Sequence, residues 1–484
     1  MDTLSQSTAV PARRWWALAS VAAAQFLAVV DAFIVNVALP SIRADLHADA
    51  AEIQAVVAVY QIAYAALVIT GGRLGDIVGR KRVFLAGVIG FTLASLWCGL
   101  SASAPMLIFA RAAQGGAAAL MVPQVLATIH TLFPDAARAR AFAAFGVAIG
   151  LGGAVGFMLG GWLVTLNLAG VGWRSIFGVN VPAGLAIVLT AARLMPAMPR
   201  SQDTRLDLAG AAVLFIALLC LIAPAMFGRE LGWPWWLWPA MATGAMALTG
   251  FAQWQRVLEG RGRTPLIDPG LFADHRFVAG TCATFSFFLG NLSFYFVLTL
   301  FIQNGLGFSP FDAALTVMPL SFAFVAGSRL AAGRMQRRGA AALVDGCVVQ
   351  AAGLAATALL VGMMAHPAMV ILMLPLAVFG YGQGMVLAPL FSAVLSHVRD
   401  AHAGSGSGVL TTIQQVANGT GVVLAGGVYF AVQSAHGDRR AFLATLAALA
   451  CTVAATIVSL RRMRPRAVAA RASSPRRRRT AEIS

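Results

Sequence analysis

An all-α protein that crosses a lipid bilayer fourteen times is the fold this sequence predicts. Three features lead there. Hydrophobic residues make up 59% of the 484 positions and charged residues only 11%, whereas soluble domains run near a quarter charged. The apolar residues gather into runs of about 20, the length that spans ~30 Å of hydrocarbon as a helix. The basic residues fall between those runs, mostly on alternate sides, as positive inside loops do. The mean hydropathy of +0.79 agrees. This balance excludes a disordered chain, a disulfide scaffold and an ordinary soluble enzyme.

The predicted spans are 15–39, 52–72, 83–101, 105–128, 141–166, 174–194, 207–227, 234–255, 276–302, 312–332, 342–363, 367–390, 405–430 and 440–460. The first follows Arg13-Arg14, which imitates a twin-arginine signal. It is too long for a signal sequence, carries Asp31 and Asn36, and lacks a small-x-small cleavage site, so it reads as a retained helix. With the N-terminus inside, 29 of the 35 Lys and Arg residues lie on inner segments and five on outer loops. That asymmetry places both termini in the cytoplasm. The net charge of +17 therefore reflects membrane topology rather than a nucleic-acid site.

The organisation follows from the spacing of the runs. Residues 1–14 are a cytoplasmic N-terminus, 15–194 a six-helix bundle, 195–275 a linker carrying two extra helices, 276–460 a second six-helix bundle, and 461–484 a basic cytoplasmic tail that suits lipid headgroups. The inserted pair is poor in buried polar residues and holds the aromatic cluster WPWWLW at 233–238. Two such halves are the pattern of transporters whose substrate site lies between internal repeats. The five cysteines stand singly in apolar runs with no CxxC or Cys/His spacing, so no metal site is expected. No phosphate-binding GxxxxGK[ST] loop occurs, which disfavours direct ATP coupling.

After span 2 the chain reads GGRLGDIVGRKR, residues 71–82. Gly72, Gly75 and Gly79 allow a tight reversal, and Asp76 sits among Arg73, Arg80, Lys81 and Arg82. Such a cluster can latch helices by charged hydrogen bonds that a conformational switch breaks. This segment resembles the signature loop of the major facilitator superfamily. QFLAVVDAFIVNVALPSI in span 1 is similar to the first-helix signature of its fourteen-helix drug:proton antiporters, the EmrB/QacA type, through Asp31, Asn36, Ala38, Leu39 and Pro40. RAAQGG in span 4 resembles the Arg-x-x-Gln-Gly motif through Arg111, Gln114 and Gly115. GRMQRRG at 333–339 is a degraded echo of the first loop, without its acid.

The resemblance implies secondary active export of small organic compounds, drugs and antibiotics among them, by proton antiport and alternating access. It implies no cofactor beyond the proton gradient, and a bacterial cytoplasmic (inner) membrane location. Span 5 carries Gly152, Gly156, Gly160 and Gly161 where the family has its glycines, which permit close helix packing. Phe157 stands where the family has a proline and removes a built-in kink. That substitution keeps a proton-coupled or facilitative importer on the same fold as the alternative. A membrane receptor or enzyme is disfavoured, because no metal or nucleophile constellation falls at membrane depth.

Two ionisable residues lie inside the hydrocarbon, where a charge costs at least a few kcal/mol. Asp31 is about 12 Å and Arg111 about 9 Å from the outer end of their spans at ~1.5 Å per residue, so they share a depth and can pair. Asp31 is the expected proton carrier: desolvation favours its neutral acid, and Arg111 its carboxylate. The seven histidines all fall in loops or at helix ends, so a histidine relay is not expected.

Polar and aromatic residues within spans are the expected cavity lining. In the first half these are Gln25, Asn36, Tyr60, Gln61, Tyr64, Gln114 and Gln124; in the second, Asn291, Tyr295, Gln303, Tyr381, Gln383, Gln414, Gln415 and Asn418. A neutral, monocationic or amphipathic compound, or an anion drawn to Arg111, is the expected cargo.

Overall fold

The computed structural model describes residues 12–463 except 134, 168–169, 197–206, 229–230, 263–264, 268, 365 and 397–402. Residues 1–11 and 464–484, which hold most of the expected cytoplasmic N-terminus and basic tail, lie outside the described residues. The described α-helices are α1 (Ala12–Leu46), α2 (Ala50–Val78), α3 (Arg80–Gly99), α4 (Ala104–Leu132), α5 (Asp135–Leu166), the short α6 (Ser175–Gly178), α7 (Asn180–Leu194), α8 (Leu208–Phe227) and α9 (Leu237–Gly260). They continue with α10 (His275–Leu300), α11 (Pro310–Arg338), α12 (Ala341–Met363), α13 (Met369–Leu395) and α14 (Ala403–Met463).

Local chemistry sets several starts. The Asp49 carboxylate accepts the Glu52 N–H at 2.7 Å and the Glu52 carboxylate accepts the Asp49 N–H at 3.0 Å, so two of α2's unpaired amides are satisfied reciprocally. Ser103 and Ser309 cap α4 and α11, each with a proline in the first turn, where its missing N–H costs nothing.

Among the described residues ten helices are long and apolar enough to cross a membrane, against the fourteen spans expected. Among the described residues α5 and α8 contribute the shorter apolar stretches Leu151–Leu166 and Ala209–Pro224. α14 counts once, although it breaks at Gly437, whose φ of 80° lies in the left-handed region. Gly421 backs onto the Leu289 carbonyl, while Thr452 backs onto the adjacent Gly290. A straight helix would hold Gly421 and Thr452 about 46 Å apart, so the chain doubles back. Asp438 secures the bend by accepting from the Tyr429 hydroxyl at 2.6 Å and the Gln433 amide at 2.7 Å.

The glycine-rich segment 71–82 differs from the loop expected of it. α2 continues to Val78 and α3 begins at Arg80, leaving Gly79 alone as the joint, with φ 110°. The glycines before it serve contact rather than reversal. Gly71 lies on the Ala119 carbonyl of α4, and Gly75 on the Gln124 side chain.

One packing scheme occurs twice. α1 packs on α5, and α2 and α3 on α4; further along, α10 packs on α14, and α11 and α12 on α13. Missing side chains allow the close approach in both: Gly115 of α4 sits against the Tyr60 backbone of α2, and Gly384 of α13 against the Phe324 backbone of α11. α8 and α9 pack on one another, with α8 leaning on α2 and α14 through Ala211, Leu214 and Leu218. Between them Trp233 and Trp238 stack at 5.5 Å, and Trp235 is 79% exposed, as residues of an interfacial aromatic belt are.

The apolar core is shared at one end and largely divided at the other, although a further cluster joins Ile62, Ala65 and Ala66 of α2 to α8 and to Val423 of α14. Near the turn from α1 into α2, a single cluster joins Ile34, Val37 and Phe157 to Leu298, Phe301 and Val422. Towards the Gly79 end, Leu18, Phe84 and Met121 belong to a cluster made only of residues before 196, and Phe277, Val386 and Leu460 to one made only of residues after 270.

A buried carboxylate–guanidinium network as the candidate functional site

α1 and α4 cross where Asp31 and Arg111 lie, and both side chains are sealed, at 0% and 1% exposed. Arg111 donates through one terminal nitrogen to Asp31 Oδ2 at 2.6 Å and to Gln114 Oε1 at 2.6 Å. Its Nε donates to the Val56 carbonyl of α2 at 3.2 Å. The Tyr60 ring covers the guanidinium at 4.4 Å, adding a cation–π contact where water cannot screen it. Asp31 Oδ1 accepts from the Gln114 amide at 2.9 Å and from the Asn180 amide of α7 at 2.7 Å. Asn180 also donates to Ser95 Oγ of α3 at 2.9 Å, and the Ser95 hydroxyl to the Phe177 carbonyl at 3.1 Å. The Cys98 thiol completes the group at 3.6 Å from Gln114 Oε1.

A charge buried this deeply is tolerated only when paired and hydrogen-bonded. Both conditions are met, and helices α1, α2, α3, α4 and α7 are tied to one carboxylate. Adding a proton to Asp31 removes the charge that Arg111 answers.

Several expected lining residues have other work. Tyr60 and Gln114 hold Arg111, and Asn36 donates to the Ala32 carbonyl of its own helix at 2.8 Å. The Tyr295 hydroxyl donates to Gln383 Oε1 at 2.8 Å, and its ring meets Phe33 at 5.1 Å and Phe157 at 5.3 Å across the two halves. Phe157, where a proline was expected, is thereby an aromatic bridge, 2% exposed. Gly152, Gly156 and Gly160 pack on Val29, Val30 and Ile34 of α1, and Gly161 meets Pro310 and Ala314 of α11. Gln303 donates to the Val37 carbonyl at 2.8 Å and joins the halves again. Tyr64 stacks edgewise on Tyr60 at 6.4 Å, and Gln414 is half-buried on α14. Gln25 Oε1, Gln61 Oε1, Asn291 Nδ2 and Asn418 Oδ1 are buried with no partner in the protein.

At the Gly79 joint, Arg80 donates to Asp76 Oδ1 at 3.1 and 3.2 Å, to the Ala127 carbonyl at 2.9 Å and to Thr131 Oγ1 at 2.5 Å. Lys81 reaches the Ala192 carbonyl at 2.7 Å and Arg73 the Pro265 carbonyl at 2.7 Å. Asp76 therefore pairs with one cation of the cluster, while Arg73 and Lys81 bind carbonyls of other segments. In the echo at the C-terminal end of α11 the missing acid is supplied by α12: Arg338 pairs with Asp345 at 2.5 Å.

Sequence reasoning does not single out Asn180 or Ser95. An amide within the apolar run 174–194 is the signal that points to Asn180. Ser95 carries none, since hydroxyls inside helices commonly bond their own backbone.

The chain is 41% identical over 421 residues to the probable actinorhodin transporter of Streptomyces coelicolor, covering 87% of this chain and 73% of that one. It is 35% identical over 416 residues to the cephamycin export protein CmcT of Amycolatopsis lactamdurans, covering 84% and 83%. The structure of a D-xylose–proton symporter superposes with a TM-score of 0.63 over 91% of this chain and 97% of that one, at 15% identity, a likeness of fold. Residues 21–422 match the Major Facilitator Superfamily as a family, and the chain belongs to it.

Proposed function

We propose that this protein exports antibiotics or chemically related small organic compounds across the bacterial cytoplasmic membrane in exchange for protons. Relatives named for actinorhodin transport, puromycin resistance and cephamycin export support the cargo class. The observation that carries the coupling is Asp31, sealed from solvent and bound to Arg111 at 2.6 Å. Protonation discharges the carboxylate, loosens the pair and frees α1 from α4, so that the two halves can rock about the cargo.

The halves are residues 15–194 and 276–460, with 195–275 the inserted linker and helix pair. Fourteen passes, as in the EmrB/QacA type, follow if α5, α8, α9 and each arm of α14 all cross. With both termini inside, as the charge count favours, the shared core lies at the outer end and the divided cores at the cytoplasmic end. This conformation is then closed at the outer end. Gln25, Gln61, Asn291 and Asn418, with their unanswered polar atoms, and Tyr64, Gln383 and Gln414 are the groups assigned to cargo. The cluster from Gly72 to Arg82 is the conformational latch.

The test is accumulation of actinorhodin, puromycin, cephamycin and a broad dye and drug panel in cells lacking their own efflux pumps. Lower accumulation with the wild type, abolished by a protonophore and by Asp31→Asn, is expected. Full export by Asp31→Asn sinks the coupling role.

A further inference from the structure

We propose that Asn180 is a positioning residue that sets the proton affinity of Asp31 and links its charge to the joint between α6 and α7. This rests on the reading of Asp31 as the proton carrier. Asn180 is 0% exposed, and its amide nitrogen is shared between Asp31 Oδ1 at 2.7 Å and Ser95 Oγ at 2.9 Å. Both amide protons are thus committed, one to the carboxylate and one to the serine. Its Oδ1 has no partner in the protein and is free to accept a proton donor.

The direction of the effect follows from hydrogen-bond chemistry. An N–H aimed at a carboxylate favours the ionised form, and burial away from water strengthens it. When Asp31 gains a proton on Oδ1, that oxygen becomes a donor facing a donor. The amide can then turn about its terminal bond, so that its unanswered Oδ1 accepts the new O–H and its nitrogen takes the vacated side. Before the turn the Asn180 Oδ1 lacks a partner; after it the Asn180 nitrogen does, and the Phe177 carbonyl gives up the Ser95 hydroxyl, so the turned arrangement is held only while Asp31 carries its proton. Turned, Asn180 becomes an acceptor for the Ser95 hydroxyl and draws it from the Phe177 carbonyl, to which it now donates at 3.1 Å. Phe177 lies in α6, one residue beyond Ile176, and α7 opens at Asn180 itself. The protonation state of α1 is read at the start of α7 through a chain of three side chains.

Among the described residues the other charged or titratable groups around Asp31 are Arg111 from α4, Tyr60 from α2 and Cys98 from α3. Arg111 and Gln114 hold Asp31 without Asn180, so removing Asn180 alters the balance rather than dismantling the site.

The experiment is a pH titration of the protonated-carboxyl stretch by infrared spectroscopy, on the full-length protein in liposomes without cargo. The band that Asp31→Asn removes belongs to Asp31. Asn180→Leu is expected to move its midpoint up by about one pH unit, the size of one charge-assisted hydrogen bond. Ser95→Ala, which leaves the Asn180–Asp31 contact in place but frees the amide, moves it less and in the same direction. If Asp31→Asn removes no titrating band, the proton-carrier reading fails. If it removes one and neither Asn180→Leu nor Ser95→Ala moves its midpoint, that reading stands and this inference is overturned. Should Asn180→Leu fail to fold, Ser95→Ala alone decides.

Discussion

Asp31 and Arg111 stand 80 positions apart in the chain and 2.6 Å apart in space, the shortest link between α1 and α4. Neither can be changed alone without leaving a charge or a set of donors stranded. Arg111→Ala leaves Asp31 with only the Gln114 and Asn180 amides, and should cost about 3–5 kcal/mol of stability. The double variant Arg111→Ala/Asp31→Asn should recover much of that loss, because no bare charge remains. Thermal melting of the purified protein checks both, and equal losses in the single and double variants would contradict a coupled pair.

The close approaches at glycine predict a sharp contrast within α14. Gly421 lies directly against the Leu289 carbonyl, whereas nothing stands within 4 Å of a side chain built at Gly427. Gly421→Ala must push α10 away and should cost roughly 1–3 kcal/mol by overpacking. Gly427→Ala should leave melting temperature and yield near the wild-type values. A pair of melting curves settles it.

Closure at the shared-core end can be wedged open. Gly161 meets the Pro310 carbonyl and Ala314 across the two halves, and Val37 beneath them is 1% exposed. Gly161→Leu should prevent that contact and favour the opposite conformation. In a chain freed of its own cysteines, Val37→Cys should then react with a membrane-impermeant maleimide several-fold faster when Gly161→Leu is added. Unchanged labelling would mean that this contact does not hold the end shut.

Arg80 binds α2, α3 and α4 together at the Gly79 joint. Arg80→Ala removes its bonds to Asp76, Ala127 and Thr131 and should lower stability by about 1–3 kcal/mol while slowing export. Asp76→Asn keeps the Ala127 and Thr131 contacts and should lose less stability. Melting and export rates measured side by side separate the two contributions.

Much of the architecture is legible in the residues because lipid permits few solutions. A backbone without water must satisfy its own donors and acceptors, so each apolar run near 20 residues becomes a helix. The runs at 83–101 and 342–363 correspond to α3 and α12 within a few residues. Depth along a helix is likewise a matter of counting, which is why Asp31 and Arg111 are expected at one level. The reversal in α14 is legible in the same way, since the expected spans 405–430 and 440–460 stop and restart on either side of Gly437.

Segment 71–82 shows the boundary of that reading. Its glycines suggest a loop, yet all but Gly79 lie in helix, pressed on α4. Only the presence of a neighbouring backbone distinguishes a glycine that turns from one that packs. Tyr60 and Gln114 make the same point: both are polar groups inside spans, and the guanidinium they hold keeps them from lining a cavity.

Composition and hydrophobic run length by themselves determined an α-helical membrane protein and the two buried charges, because these follow from solvation along one chain. Tertiary structure alone decided which donors complete Asp31, bringing Asn180 and Ser95 to it from α7 and α3, and where the halves share a core. Those are relations between helices distant in sequence. Rotation about a helix axis and the contact face it selects depend on every neighbour at once.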